Sequence, residues 1–295
     1  MRVGVIGLGD MGSGLAKNLI QNKFETIGFD LNKKRMENFK NIKGIPAKSL
    51  NDVGKFSDVV FVMVMNGDQA KEVIVSNDGL IHNLKEGSTI ILTSTIKPSE
   101  AREIGEMMKD TLINIIDSPV SGGFPGAQNG TLTMMAAGEK NIIEKCRPVM
   151  KAVSKNIHHV GTKSGEGQTV KACLQSLIGS IFSATFEAAA LAAKAGVKGE
   201  TLFNVFSTSG AGCGVTNTAL ENIIDRKFFG TGSSISTMHK DLTIALDLAE
   251  KLGVPLHTAS TAMQLFHAGK TKFPDGDNWV IAKLIEEIIG AELHR

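Results

Sequence analysis

Three groups of residues in this chain of 295 have types and spacings that could do chemistry. The first is Gly7-Leu8-Gly9-Asp10-Met11-Gly12, which follows a short apolar run and opens an apolar-periodic segment. Between a strand and a helix, the first glycine permits a tight turn, the second lets backbone N–H groups approach a pyrophosphate, and the third lets helix and strand pack closely. The helix N-terminus adds free N–H groups and a favourable dipole. Asp30 ends the next strand-like run, where a carboxylate accepts from the ribose hydroxyls of NAD and repels a 2′-phosphate. Lys33, Lys34 and Arg35 follow closely enough to meet such a phosphate, so NADP stays open behind NAD. The second group is 117–123, Asp-Ser-Pro-Val-Ser-Gly-Gly. Ser121 offers a hydroxyl, and Gly122 and Gly123 offer N–H groups that can hold a carboxylate; taken alone, the segment reads as a plain loop. The third is Lys171 with Gln175, one helical turn apart and so on one side of a helix. In so apolar a segment, Lys171 by itself reads as a lysine snorkelling from the helix start.

The elements that must position these groups follow from periodicity. Strand-like runs at 2–6, 26–29, 45–47, 58–65, 88–92 and 112–116 alternate with helical segments at 13–21, 33–39, 69–75 and 98–108. That alternation predicts a doubly wound α/β domain, closed by strands at 132–137 and 157–160. Strand signals then stop. Helices are predicted over 165–195, 198–208, 213–225, 233–252, 255–268 and 278–289. In the first of these, Val170, Leu174, Leu177, Ile178, Ile181, Phe182 and Ala189 recur at helical steps and predict one buried face. The pattern changes from α/β to all-α near the glycine-rich 161–167, and the long helix starting there is the expected wall of an interdomain cleft. The predicted domains are 1–163 and 164–295.

Composition narrows the class. A hydrophobic content of 42% fits a soluble globular protein. The formal charge of +2 and the lack of a basic block give nucleic-acid binding no support. Cys146, Cys173 and Cys213 are too scattered for a disulfide framework or a metal site, which points to the reducing cytoplasm. No signal peptide is visible, and the most apolar stretch, 178–193, is broken by Glu187 and short for a membrane span. Tyrosine is absent, which excludes a tyrosine acid or base. No histidine pair shows metal-ligand spacing, so no metal is expected; His239, beside Lys240, is the one histidine placed near candidate chemistry.

The segments GLGDMGSGLAKNL (7–19), STIKP (94–98), DSPVSGGFPGAQNGTLTMMAAG (117–138), GEGQTVKACLQ (165–175) and HKDLTIALDLAEKLGVPLH (239–257) resemble, in order, the β-hydroxyacid dehydrogenase family, which includes 3-hydroxyisobutyrate dehydrogenases. The resemblance implies a Rossmann-type N-terminal domain that binds NAD(P), and an all-α C-terminal domain, like that of 6-phosphogluconate dehydrogenase, that completes the substrate cleft and assembles homodimers or homotetramers. It implies Lys171 as the catalytic lysine and Ser121, Gly122 and Gly123 as the substrate-carboxylate loop. Thr95 and the turn holding Val64 and Met65 match cofactor contacts, and Lys240 matches the lysine that closes over the nicotinamide end. Members often carry Asn three or four residues after the lysine. Leu174 and Gln175 stand there instead, which is more similar to the sugar-acid branch typified by L-threonate dehydrogenase.

The chemistry agrees with that role. A hydroxyl whose carbon gives up a hydride must also lose a proton, and a desolvated lysine can exchange it and stabilise the developing oxyanion. Gln175 can orient the lysine or hold the substrate oxygen. The expected function is hydride transfer between NAD, ahead of NADP, and a small carboxylate-bearing β-hydroxy acid of the threonate type. The alternatives are 3-hydroxyisobutyrate oxidation, reduction of tartronate or another semialdehyde, and, in a different class, a non-catalytic dinucleotide-binding interaction module.

Overall fold

A computed structural model describes residues 1–295, which separate into two units, Met1–Lys171 and Ala172–Arg295. In the first unit the strand-like runs form β1 (Arg2–Ile6), β2 (Glu25–Phe29), β3 (Ile45–Pro46), β4 (Val59–Val62), β5 (Thr89–Leu92) and β6 (Asn114–Asp117). They lie in the order β3-β2-β1-β4-β5-β6, all parallel. Because β1 pairs with both β2 and β4, the chain winds outward both ways from β1, and the loop after β1 sits at a topological switch point. The strands are apolar on both faces, as a parallel sheet covered on both sides requires. Val3, Val5, Phe61 and Ile91 pack on one face, with Leu15, Leu19 and Val149; Val60, Val62, Ile90 and Leu92 pack on the other, with Ile74 and Ile104.

The crossovers are α1 (Asp10–Gln21), α2 (Lys33–Asn41), α3 (Leu50–Phe56), α4 (Gly67–Val75) and α5 (Pro98–Met107). After β6 come β7 (Val120–Ser121), α6 (Gly123–Asn129), β8 (Leu132–Ala137), α7 (Lys140–Val153) and β9 (Ser154–Gly161). β8 runs antiparallel to β6 and β7 and parallel to β9. The strand–helix alternation read from the sequence passes over α3, α6 and α7. In α7 the reason is Pro148 in the helix interior, which costs a backbone hydrogen bond. The stripe Ile143, Cys146, Val149, Met150 and Val153 is buried and outweighs it.

The second unit is all-helical: the later turns of α8 (Glu166–Lys194), then α9 (Gly199–Thr208), α10 (Gly214–Ile224), α11 (Ile235–Leu252), α12 (His257–Lys272) and α13 (Val280–Ile289). Its core gathers Phe182, Phe186, Leu220, Leu242, Phe266 and Trp279. The Trp279 indole N–H donates to Thr231 Oγ1 at 3.1 Å, and its ring meets Phe182 edge-on at 5.4 Å.

Helix α8 corrects two expectations. It runs unbroken for 29 residues and, by length and composition, could cross a membrane, so shortness is no argument against a span. Glu187 sits within it as an ordinary helical residue, and 44% of the apolar window is buried in the fold. Its buried face is only in part the predicted one. Phe182 and Ala189 are buried as predicted, but Leu177 is 58% exposed and Val170 is exposed too, and the buried stripe also takes in Gln168, Lys171, Ala172, Gln175 and Phe186. These residues recur at three- and four-residue steps. A stripe that includes polar residues has its phase misassigned when only apolar ones are counted.

Candidate active site

The glycine loop is built by close approach. Gly7 has φ 85°, in the region that favours glycine, and a Cβ there would enter the Met63 carbonyl. A Cβ on Gly12 would enter the Gly7 carbonyl. Gly9 differs: its hypothetical Cβ meets nothing nearer than the Arg35 guanidinium at 3.7 Å. Gly7 and Gly12 thus make the turn and the packing, while the space over Gly9, at the first turn of α1 beside Asp10, is a cradle that fits a diphosphate. Met11 packs against the adjoining core and Leu8 is buried. Leu8 N–H donates to Asp30 Oδ2 and Asn32 N–H to Asp30 Oδ1, both at 2.8 Å. The half-exposed Arg35 pairs with Oδ2 at 3.3 Å. Asp30 is therefore fastened beside the glycine loop at the end of β2.

At the ends of β4 and β5, Val64 N–H donates to Ser94 Oγ at 2.8 Å, and Ser94 Oγ donates to the Val62 carbonyl at 3.2 Å. Met65 N–H donates to Gln69 Oε1 at 3.0 Å, and its side chain stays exposed. Thr95 is half-buried between the buried Ser94 and Ile96. Further along the sheet, Ser121 pairs with Thr133 across β7 and β8. Gly122 (φ 129°) and Gly123 (φ 58°) follow it, both in the glycine-favoured region, so the loop turns sharply with both residues exposed.

The start of α8 is tied to these strand ends by buried polar groups. Asp117, at the end of β6, accepts Gly165 N–H at 2.8 Å and Gln168 N–H at 3.2 Å on Oδ2, and Gln168 Nε2–H at 2.7 Å on Oδ1. Burial pushes the Asp117 carboxyl up to about 6, against the downward pull of the Gln168 and backbone N–H donors. One turn after Gln168 comes Lys171, 6% exposed. A snorkelling lysine keeps its head in water; this one does not.

In the second unit, Gln175 Nε2–H donates to Asp241 Oδ2 at 2.6 Å, and Lys240 Nζ pairs with Asp241 Oδ1 at 3.1 Å. The amide donor of Gln175 is thus engaged by a buried carboxylate. His239 meets His267 at 2.8 Å, and burial, with Lys270 and His267 nearby, lowers its pKa. No group of three or more His, Cys, Asp and Glu side chains is arranged to hold a metal ion.

Within the first unit, Gly7–Gly12, Asp30, Val64, Met65, Thr95 and Ser121–Gly123 all follow the ends of strands in one sheet, where open α/β sheets bind ligands. Lys171 joins them through α8. Gln175 and Lys240 meet in the second unit around Asp241. The sequence reading assigns no role to Asp117, Gln168 or Asp241. For Gln168 a signal existed, because it precedes Lys171 and Gln175 on the same helical stripe.

Comparison with known proteins places the fold. Residues 2–161 match the family model described as the NAD binding domain of 6-phosphogluconate dehydrogenase. Residues 165–285 match the model described as NAD-binding of NADP-dependent 3-hydroxyisobutyrate dehydrogenase. The chain is 32% identical over 289 residues to an L-threonate dehydrogenase of Haemophilus influenzae, covering 97% of this chain and 95% of the relative. It is 30% identical to the 2-(hydroxymethyl)glutarate dehydrogenase of Eubacterium barkeri, covering 99% and 97%. A solved structure, the 3-hydroxyisobutyrate dehydrogenase from Salmonella typhimurium, superposes with a TM-score of 0.87 at 30% identity, covering 96% of this chain and 99% of that one. A glycine loop with an open Gly9 cradle, Asp30 beside it and matches along nearly the whole chain lead to one conclusion: this protein belongs to the 3-hydroxyisobutyrate dehydrogenase-like family of NAD(P)-dependent β-hydroxyacid dehydrogenases, oxidoreductases acting on CH–OH groups.

Proposed function

We propose that this protein is an NAD-preferring dehydrogenase of a small β-hydroxy acid of the sugar-acid type, with L-threonate-like acids first among its substrates. The observation that carries the reading is the burial of Lys171 on the side of α8 that also bears Gln175, the glutamine that departs from the family's usual asparagine. Residues 1–163 form the NAD-binding domain, which also lends the Ser121–Gly123 loop to the substrate, and 164–295 form the all-helical domain that serves substrate and assembly. NAD, when bound, supplies the hydride acceptor. The protein's own groups do the rest. Lys171 takes the proton of the substrate hydroxyl and stabilises the developing oxyanion. Ser121 Oγ and the N–H groups of Gly122 and Gly123 hold the carboxylate. Gln175 and Lys240 share Asp241, which fixes both side chains. Gly7–Gly12, Val64, Met65 and Thr95 receive the cofactor, and Asp30 favours NAD because its carboxylate repels a 2′-phosphate and already engages Arg35.

The relatives named as 3-hydroxyisobutyrate dehydrogenases support a second reading, with 3-hydroxyisobutyrate as substrate; reduction of a semialdehyde is the same chemistry run in reverse. A homodimer or homotetramer in the cytoplasm completes the proposal; its support is apolar surface on the outer side of α8, where Leu177 and Leu191 are exposed, and three free cysteines. The test is absorbance at the NADH wavelength with L-threonate, its stereoisomers, 3-hydroxyisobutyrate and glycerate, the alcohol that pairs with tartronate semialdehyde, each with NAD and with NADP. The sugar acid should give the highest kcat/KM, and with NAD. A higher value for 3-hydroxyisobutyrate would favour the second reading, and better use of NADP would overturn the role given to Asp30.

A further inference from the structure

Gln168 is 1% exposed, and both N–H groups and the carbonyl oxygen of its amide are engaged. Oε1 accepts Ile96 N–H at 3.0 Å, and Nε2 donates to the Ser94 carbonyl at 3.0 Å and to Asp117 Oδ1 at 2.7 Å. Capping the helix needs only an acceptor for its first N–H groups, and Asp117 Oδ2 supplies that. The two bonds to Ser94 and Ile96 add nothing to the cap. They bracket Thr95 on both sides and lock α8, in rotation and in height, to the end of β5.

Lys171 lies on the next turn of the same buried stripe. A slip of α8 by one residue would move it about 1.5 Å along the axis and about 100° around it. A displacement near 1 Å can cost roughly a hundredfold in rate. We propose that Gln168, held by Asp117, is a positioning residue that fixes Lys171 against the Thr95 segment. The proposal rests on the reading of Lys171 as the general acid–base.

The test uses the full-length protein with the best acid of the panel, comparing Gln168→Leu, Gln168→Glu, the double variant Gln168→Glu/Asp117→Asn, and Lys171→Met. Gln168→Leu should lower kcat by roughly 10- to 100-fold. KM for the acid and the Kd of NADH should stay within about threefold, because neither is bound by Gln168. The primary deuterium isotope effect on kcat should rise. Independently of activity, amide exchange in the segment 94–97 should speed up, since Ile96 N–H loses its acceptor. Gln168→Glu keeps that acceptor but sets an oxygen against Asp117 Oδ1, and should also lose turnover. Adding Asp117→Asn restores a donor to that pair and should recover about fivefold or more in kcat. A folded Gln168→Leu with kcat within twofold of wild type would overturn the positioning role. So would a kcat loss matched by an equal loss of NADH affinity. If Gln168→Leu does not fold, failure of the double variant to recover turnover over Gln168→Glu overturns it. Lys171→Met separates the two claims: turnover near wild type there sinks the reading of Lys171, whereas an inactive Lys171→Met beside fully active Gln168 variants sinks the positioning alone.

Discussion

The two ends of helix α8 bury the same stripe with opposite chemistry. The first turns bury Gln168, Lys171 and Gln175; the later turns bury Phe182, Phe186 and Ala189. The later turns need no partners of particular geometry, because apolar burial is non-directional. Each polar group in the first turns must find a partner or lose its desolvation energy, and Gln168 and Gln175 find theirs on Asp117, Asp241 and the β5 end. One end of the helix therefore contributes stability, and the other fixes directions. Substitutions along one continuous stripe should separate turnover from stability according to which end they strike.

Lys171→Met should give the largest effect. Methionine keeps the stem but has no proton to exchange, so kcat should fall by roughly three orders of magnitude or more, about 4 kcal/mol of barrier. The variant should still fold, because methionine keeps an apolar stem of similar length in the buried stripe. Steady-state kinetics at saturating acid, with thermal melts on the same samples, checks both parts; a variant within tenfold of wild type would make Lys171 a packing residue. Phe186→Ala should do the reverse. It opens a cavity in the helical core and should cost about 3–5 kcal/mol in denaturant unfolding, while kcat per folded molecule stays within a few-fold. Loss of turnover without loss of stability would erase the contrast between the two ends.

Asp117 sharpens the comparison through pH. Its carboxyl is raised from 3.8 to about 6 in the folded protein. The folded state therefore binds this proton more tightly than the unfolded chain does. That contribution to stability is full below pH 3.8 and is lost as pH rises to about 6, a change on the order of a few kcal/mol. Asp117→Asn cannot titrate, so melting temperatures of wild type should fall relative to the variant between those pH values and run parallel above them. A constant difference across pH 4 to 7 would count against a raised carboxyl.

Two smaller effects belong to the strand ends. Ser121→Ala should raise KM for the acid by about tenfold, the scale of one hydrogen bond to a charged group, with NADH affinity unchanged by fluorescence titration. An equal loss for an uncharged alcohol analogue would argue against a carboxylate at this loop. Asp30→Ala should release Arg35 and narrow the preference for NAD over NADP several-fold, read as the ratio of the two kcat/KM values. An unchanged ratio would place the source of selectivity elsewhere.

What the sequence determined by itself is local. The need for Gly12 has its cause in nearby residues, since the carbonyl that excludes a side chain there is that of Gly7, whereas at Gly7 it is the Met63 carbonyl, brought up by the neighbouring β4 end. The parallel strands declare themselves through continuous apolar runs and the helical unit through its periodicity, whereas Lys171 taken alone reads as a snorkelling lysine and gains its catalytic reading from the family resemblance. Tertiary structure alone decided the phase of α8 and the identity of its polar partners. A face counted from apolar residues leaves out Gln168 and Gln175, although both are buried. Whether a polar side chain can be buried depends on a partner, and these partners, Asp117 for one and Asp241 for the other, stand far along the chain. Contacts of that kind are set by how β5, β6 and α11 are brought to α8, and no local pattern encodes them.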